Sequence, residues 1–544
     1  MQDRVTASAE AASPLEALLD ALRRRARTPR ELGTYFEDLV VAFLRNEPAY
    51  ADLYDGVWTF AEWAEQGGLD RRDDGIDLVA RVAGTGELHA IQCKCFAADH
   101  VVQKSEIDSF FTASGKRPFE RRIIVTTATR WSAPAEAALQ AQRTPVSVIN
   151  RYDLEQSRID WQRYGDTDTT PLKPKKSPLP HQQRAIADCL AGLATAERGK
   201  LIMACGTGKT FTSLRIAEAH AGGGGRVLFL VPSLALLSQA LTEWTQQATL
   251  PLHAFAVCSD ADVGKRREGG EDVELLVHEL RYPATTKPRA LATAVEARQD
   301  ADHLTVIFAT YHSIEVVVAA QHAHGMAAFD LVVCDEAHRT TGVALGAEEE
   351  SAFVRIHDAA GVQSAKRLYM TATPRIFGDG AKLAAGQQDV ALCSMDDAAV
   401  YGETLYSISF SEAVEAGLLV DYKVLVLAID EAHVSRRLQR LMKDDDSQIR
   451  VEDAGKIVGC WKALAKQDQQ EALPDDPLPM RRAVAFCQVI EPVGHAGRYK
   501  VSSKRIAAMF ERVVEAYKAS HADEDGPALQ LRCEADHVDG TMNA

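Results

Sequence analysis

Short apolar runs alternate with stretches of helical period through most of the chain beyond residue 180. The runs cover residues 201–203, 227–231, 305–309, 331–334 and 367–370, and most are aliphatic or β-branched with almost no charge. Such runs suit strands of a parallel sheet, which is covered on both faces. Helical periodicity fills the gaps, as in 233–248 and 289–298. The pattern predicts a doubly wound α/β unit. The first 170 residues read differently. After Pro29, residues 31–44 place Phe36, Val40, Phe43 and Leu44 on one arc of a helix, with Glu37 at its edge. Strand patterns at 76–82 and 87–96 flank a turn at 83–86 and predict a hairpin. That turn puts Val82 opposite Glu87 and Asp77 opposite Gln92.

Composition narrows the class. The chain has 544 residues, enough for about three or four domains. With 46% hydrophobic and 25% charged residues, collagen-like and disordered chains are excluded. Sixty-one basic against 77 acidic residues leave a net charge of −16. That total argues only weakly against polyanion binding, because local grooves decide it. No membrane-spanning run or secretory signal is present, and the cysteines have neither zinc nor disulfide spacing, so a cytoplasmic protein is expected. The arginines between Arg23 and Arg30 read as a solvated helix face.

After the run 201–203 comes ACGTGKT, then a helix from about Lys209. Gly206, Thr207 and Gly208 form a tight loop whose N–H groups face a phosphate, at a helix N-terminus that adds positive potential. Lys209 would pair with the β/γ-phosphates of ATP and Thr210 would ligate Mg²⁺. Met203 stands where the strict pattern has glycine. Asp335-Glu336-Ala337-His338 follows a second buried run, so its carboxylates sit at a strand's C-terminal end. There Asp335 can hold Mg²⁺ and Glu336 can polarise the attacking water; His338 also reads as a plain partner of a neighbouring carboxylate. Thr371-Ala372-Thr373 follows a third strand end. These motifs resemble the superfamily 2 helicases and translocases, particularly their restriction-enzyme branch. The resemblance extends to HQQRAI from His181, LVPSLALLSQ from Leu230 and TYHSI from Thr310. It implies two RecA-like lobes, an adenine-reading Gln182, and His338, Thr371 and Thr373 coupling hydrolysis to lobe motion.

In the first block Gln92 and Lys94 share a strand face, and the expected register brings Asp77 to them, with Glu37 approaching from the helix. A carboxylate on an apolar helix face is costly unless paired or metal-bound. Asp77 and Glu37 would hold Mg²⁺, the Gln92 carbonyl would complete its shell, and Lys94 would orient water for phosphodiester hydrolysis. A hairpin with one buried Asp–Lys pair is the plainer alternative. DGID (Asp74–Asp77) and QCK (Gln92–Lys94) resemble the core motifs of the Mrr-like branch of the PD-(D/E)xK nucleases, with Asp74 as the alternative metal acid.

The expected organisation is an extension over 1–29, a nuclease domain over 30–165, and a Pro/Lys linker over 166–180. A RecA-like lobe over 181–395, an inter-lobe bridge over 396–425 and a partial second RecA-like lobe over 426–544 follow. The second lobe would begin with a strand at 484–487 and a helix at 502–517. No arginine-bearing late motif follows, so the chain resembles the front part of the type ISP restriction-modification enzymes. That resemblance implies an ATP-dependent translocase and Mg²⁺-dependent endonuclease acting on double-stranded DNA in phage defence. The methyltransferase and target-recognition module would be encoded downstream or on another chain. A non-catalytic DNA-binding remnant and a stand-alone modification-dependent nuclease are the other readings.

Overall fold

The computed structural model describes residues 13–422 apart from 69, 71–74, 98, 116–118, 141, 143, 167–168, 259–279, 281, 344–352, 354, 359 and 379–391. Beyond them it describes 451–466, 479–480, 482–487, 503–520 and 531–537. These residues divide into two compact units that meet in sequence at Val420/Asp421.

The first unit opens with α1 (Pro14–Arg25), α2 (Pro29–Asn46) and α3 (Pro48–Leu53). Thr28 caps α2 by accepting from the Glu31 N–H, and Pro29 occupies the first turn, where a missing N–H costs nothing. Five strands follow: β1 (Tyr54–Thr59), β2 (Leu78–Val82), β3 (Leu88–Lys94), β4 (Arg121–Thr126) and β5 (Val146–Ile149). They lie in the order β1-β2-β3-β4-β5, antiparallel through β3 and parallel from β3 onward. Alternation sorts their side chains. Leu78, Ala80, Ile91, Ile123 and Val125 pack with Phe36, Val40, Phe43 and Leu44 of α2, whereas Val79, Ala90 and Ile124 join the core on the other side. The hairpin has the expected register, with Leu78 opposite Ile91 and the Val82 N–H bonded to the Glu87 carbonyl.

Two boundaries differ from expectation. Helix α1 is part of the N-terminal domain's core rather than an extension, since Leu15 and Leu19 are each 1% exposed and Ser13 bonds Glu155 at 2.8 Å. Arg23 is held as well, donating to Asp20 and to the Phe96 carbonyl at 2.8 Å, while Arg24, Arg27 and Arg30 are exposed. The Pro/Lys segment is not a spacer. Lys173 N–H bonds the Arg158 carbonyl and Lys175 reaches the Ala248 carbonyl, so the proline-rich stretch is pinned along both neighbours. Its prolines leave few donors of their own, and the lysines supply them.

The sheet of the lobe comes next. From α4 (Pro180–Thr195) the chain passes through β6 (Arg198–Met203), α5 (Lys209–Ala221), β7 (Arg226–Val231), α6 (Leu234–Gln247), β8 (Leu252–Val257) and β9 (Ala284–Thr285). It continues through α7 (Pro288–Arg298), β10 (Leu304–Thr310), β11 (Phe329–Cys334), β12 (Ser364–Thr371) and β13 (Glu403–Ile408). All eight strands are parallel, in the order β9-β8-β10-β7-β11-β12-β6-β13. Strand β13 lies inside the span expected as an inter-lobe bridge, yet it pairs with β6 as the sheet's edge. Its ETLYSI residues are exposed or half-buried up to the buried Ile408, which an edge strand allows and a buried central strand does not.

The nuclease sheet and this lobe form one body. A single apolar cluster runs from Tyr50 and Leu53 of α3 to Trp244 of α6 and Ala254 of β8. Arg121 of β4 donates to the Ala284 carbonyl of β9 at 2.6 Å.

The second unit holds α8 (Val451–Ala465) and α9 (Ser503–Ser520). Ala454, Ile457 and Trp461 pack on Phe510, Val513, Val514 and Tyr517, and this small core accounts for the helix expected at 502–517. Among the described residues 484–487 are not assigned to a strand, contrary to expectation, and Phe486 is 96% exposed.

Candidate functional site

Strand order brings the three phosphate-site motifs together. β11, β12 and β6 are consecutive neighbours, and Asp335–His338, Thr371–Thr373 and the loop 204–210 leave their C-terminal ends side by side. This is where an open parallel sheet gathers its ligands. Gly206 (φ 85°) and Gly208 (φ 84°) are left-handed, and Gly208 caps α5. A Cβ on Gly208 would drive into Gln182 Nε2, so the loop requires glycine for two separate reasons. Thr207 is buried; its hydroxyl donates to the Ala204 carbonyl at 2.6 Å, and its own carbonyl accepts from Gln182 Nε2 at 3.1 Å. His181 Nε2 is 2.9 Å from the same carbonyl, a contact that makes His181 a member of the site beyond those expected. The half-buried Lys209 folds back on the Met203 carbonyl at 3.3 Å, and Thr210 stands half-buried at the start of α5.

The two carboxylates differ sharply. Asp335 is buried, and burial followed by the charge of Glu336 pushes its carboxyl up to about 6. Glu336 is held below the usual carboxylate range, chiefly by its bond to His338. Its φ of 47° is rare for a residue with a side chain. His338 Nδ1 lies 3.0 Å from the Thr371 hydroxyl and 3.3 Å from Glu336, linking two of the motifs directly. The Thr371 hydroxyl also accepts from the Thr373 N–H at 3.1 Å, and the Thr373 side chain faces solvent. The coincidence of an acidic pair, a lysine and a left-handed glycine loop fits a triphosphate with its divalent cation.

The nuclease residues come from separate elements. Asp77, just before β2, accepts from the Cys93 N–H through Oδ2 at 2.6 Å. Gln92 and Lys94 sit on β3, and Glu37 on the half-buried edge of α2. These residues converge around Cys93. Burial, then the charges of Asp77 and Glu37, push its thiol well up, while Lys94 acts oppositely. Gln92 is 1% exposed; its Nε2 donates to the Gly75 carbonyl at 3.3 Å. Its Oε1 is buried with no hydrogen-bond partner among the described residues. An orphaned amide oxygen, on the strand whose Cys93 feels the charges of Asp77 and Glu37, fits a hard divalent cation, which takes oxygen ligands and satisfies such a group. Asp74, the alternative acid, lies outside the described residues.

Comparison with known proteins gives the same division. A family described as restriction endonuclease matches residues 45–170, and one described as type III restriction enzyme, res subunit, matches 175–376. The probable helicase A859L of African swine fever virus (isolate Tick/South Africa/Pretoriuskop Pr4/1996) is 26% identical over 391 residues, covering 70% of this chain and 40% of that protein. The type I restriction enzyme EcoAI endonuclease subunit of Escherichia coli is 26% identical over 258 residues, covering 47% and 25%. The structure of the ATP-dependent type ISP restriction-modification enzyme LlaBIII bound to DNA superposes with a TM-score of 0.75 and 35% identity. It covers 97% of this chain, which spans about a third (32%) of LlaBIII, and the chain spans about two fifths of the viral helicase. The chain thus joins a restriction-endonuclease domain to a res-subunit helicase domain, and its fold is similar to a third of a type ISP restriction-modification enzyme.

Proposed function

We propose that this chain is the motor and cutter of an ATP-dependent DNA restriction system acting in the cytoplasm. In this reading ATP hydrolysis in the RecA-like lobe drives movement along double-stranded DNA, and the nuclease cleaves the duplex. The observation that carries the proposal is the adjacency of three strand-end motifs in a body that shares its core with the nuclease sheet. Lys209 and the loop N–H groups would bind the phosphates, and Gln182 the adenine. Thr210 and Asp335 would hold Mg²⁺, which would neutralise charge on the transferring phosphoryl group. Glu336, kept ionised by His338, can accept a proton from water. The His338–Thr371 contact gives hydrolysis a path to the strand end that carries Thr373. In the nuclease, Asp77, Glu37 and the Gln92 carbonyl are suited to hold Mg²⁺, with Lys94 orienting water. A methyltransferase and target-recognition module would be supplied by another part of a longer protein or another chain. DNA binding is expected to weaken steeply with salt.

The test is ATP turnover and plasmid cleavage by the 544-residue chain, with and without duplex DNA. DNA-stimulated turnover that disappears in Lys209→Ala, with cleavage that disappears in Asp77→Ala, supports both halves. Turnover no greater than that of Lys209→Ala would remove the motor, and cleavage unaffected by Asp77→Ala would remove the nuclease site.

A further inference from the structure

Away from both sites, a polar cluster lies where α3 of the nuclease meets β8 and the loop before β10. His253 is buried, and its two ring nitrogens face different carboxylates. Nδ1 is 2.9 Å from Asp52 Oδ1, and Nε2 is 3.2 Å from Asp300 Oδ2. His303 stacks on His253 with ring centroids 3.9 Å apart and places its own Nδ1 2.8 Å from Asp300. Asp52, His253 and His303 each offer one ligand atom, all within 4.8 Å of one another.

The hydrogen bonds assign the tautomers. Asp300 accepts from backbone N–H groups of Asp302 and His303 at 2.9 and 2.8 Å, which fix its carboxylate between the two rings. An ionised carboxylate only accepts, so its imidazole neighbours donate to it. His253 therefore carries its proton on Nε2 and His303 on Nδ1. His303 Nε2 keeps its lone pair, whereas His253 Nδ1 faces the Asp52 carboxylate at 2.9 Å and donates to it as well, so a metal ion would take the place of that proton. A carboxylate behind an imidazole, fixing its tautomer and orientation, is the outer shell that metal-binding histidines have. Asp52 is oriented in the same way, because its other oxygen is bonded by the buried Arg298.

We propose that Asp52, His253 and His303 form a site for a divalent transition metal of the zinc class, bridging the nuclease and the helicase lobe. Two imidazoles and one carboxylate suit zinc or its neighbours and not Mg²⁺, which prefers an all-oxygen shell. The ion's fourth position is open to water, since Asp52 and His303 are only half-buried. Arg298 NH2 stands 3.3 Å from His253 Nδ1, and metal binding exchanges that contact for the ion while Arg298 keeps its bonds to Asp52, including one to its carbonyl at 2.9 Å. The rings are parallel in the metal-free protein and must tilt toward a common point for both to reach one ion.

Cobalt(II) reports such a site through its visible d–d bands. The full chain, stripped with chelator and kept in excess Mg²⁺ to fill the oxygen sites, is titrated with Co²⁺ beside His303→Gln, Asp52→Asn and Asp77→Ala. One equivalent producing a band in the wild type and Asp77→Ala, but not in His303→Gln or Asp52→Asn, is expected. Zn²⁺ should then raise the melting temperature of the wild type and leave that of His303→Gln unchanged, because only a site present in the folded state stabilises it. His303 is partly exposed, so its variant folds even if Asp52→Asn does not. A band that survives in His303→Gln, or no band in the wild type, overturns the site and leaves Arg298 as the cluster's resident cation.

Discussion

The two candidate sites are built by opposite strategies. The phosphate site consists of contiguous words at three neighbouring strand ends, each shaped by its own backbone: left-handed Gly206 and Gly208, and left-handed Glu336. The nuclease site takes single residues from α2, the approach to β2, and β3, and only hairpin register and helix packing bring them together. The first is fixed by local conformation, the second by tertiary placement. Backbone changes should therefore destroy the ATP site, while side-chain changes should destroy the nuclease and spare the fold.

The largest effect tests the nuclease side of that contrast. Lys94→Ala or Asp77→Ala should lower DNA cleavage by about 10²–10⁴ while DNA-stimulated ATP turnover persists. Equal loss of both activities would show that the sites are not separable. Next comes Gly208→Ala, which meets both the φ of 84° and Gln182; ATP turnover should fall at least about 100-fold, since a displaced loop misplaces the phosphates. A mild effect would mean that the loop's shape matters less than its lysine.

Acid should separate the domains. Burial lowers His357 of the lobe to about 4 and His89 of the nuclease to about 3, both from an ordinary 6.5. A folded-state pKa below the unfolded one means that the unfolded chain binds the proton first. Stability is whole above about pH 6.5 and falls as pH drops toward 4, by on the order of 3 kcal/mol for each group. Hydrogen exchange followed through that window should show protection falling alike around the two histidines down to about pH 4, and falling further around His89 below it. Identical profiles below pH 4 would indicate that the shared core makes the two domains one cooperative unit.

His338→Ala tests the motif-to-motif link at smaller scale. Without its bond, the Glu336 carboxyl rises, so the acid limb of the ATPase pH profile should move to higher pH. An unmoved limb would place the His338 contact outside the hydrolytic step. Smallest in stability is Gln92→Leu. It removes both a bond to Gly75 and the unsatisfied Oε1, so the metal-free protein should unfold within about 1 kcal/mol of wild type while cleavage requires more Mg²⁺.

Much of this was readable beforehand. The five strands expected in the helicase lobe are present because unbroken aliphatic runs have few other uses, and the hairpin register followed from its turn. Strand β8 escaped because LHAFAV is interrupted by a histidine and mixed with alanine, and β13 because an edge strand looks like a polar bridge. Helix α1 looked like a solvated arginine-rich segment, although Leu15 and Leu19 on its other face are core residues. His181 was visible as part of a motif, but its bond to the Thr207 carbonyl follows only from how α4 sits on the loop.

Local chemistry by itself determined the phosphate loop, the acidic pair and the alternation of strands and helices, because glycine freedom, chain direction and hydrophobic period act over a few residues. Only the tertiary structure decided which strands are neighbours, that the nuclease and helicase lobe share a core, and that Asp52, His253 and His303 meet. Those residues lie 50 to 251 positions apart in the chain yet near in space. No local rule carries a contact over that distance; packing of whole elements does.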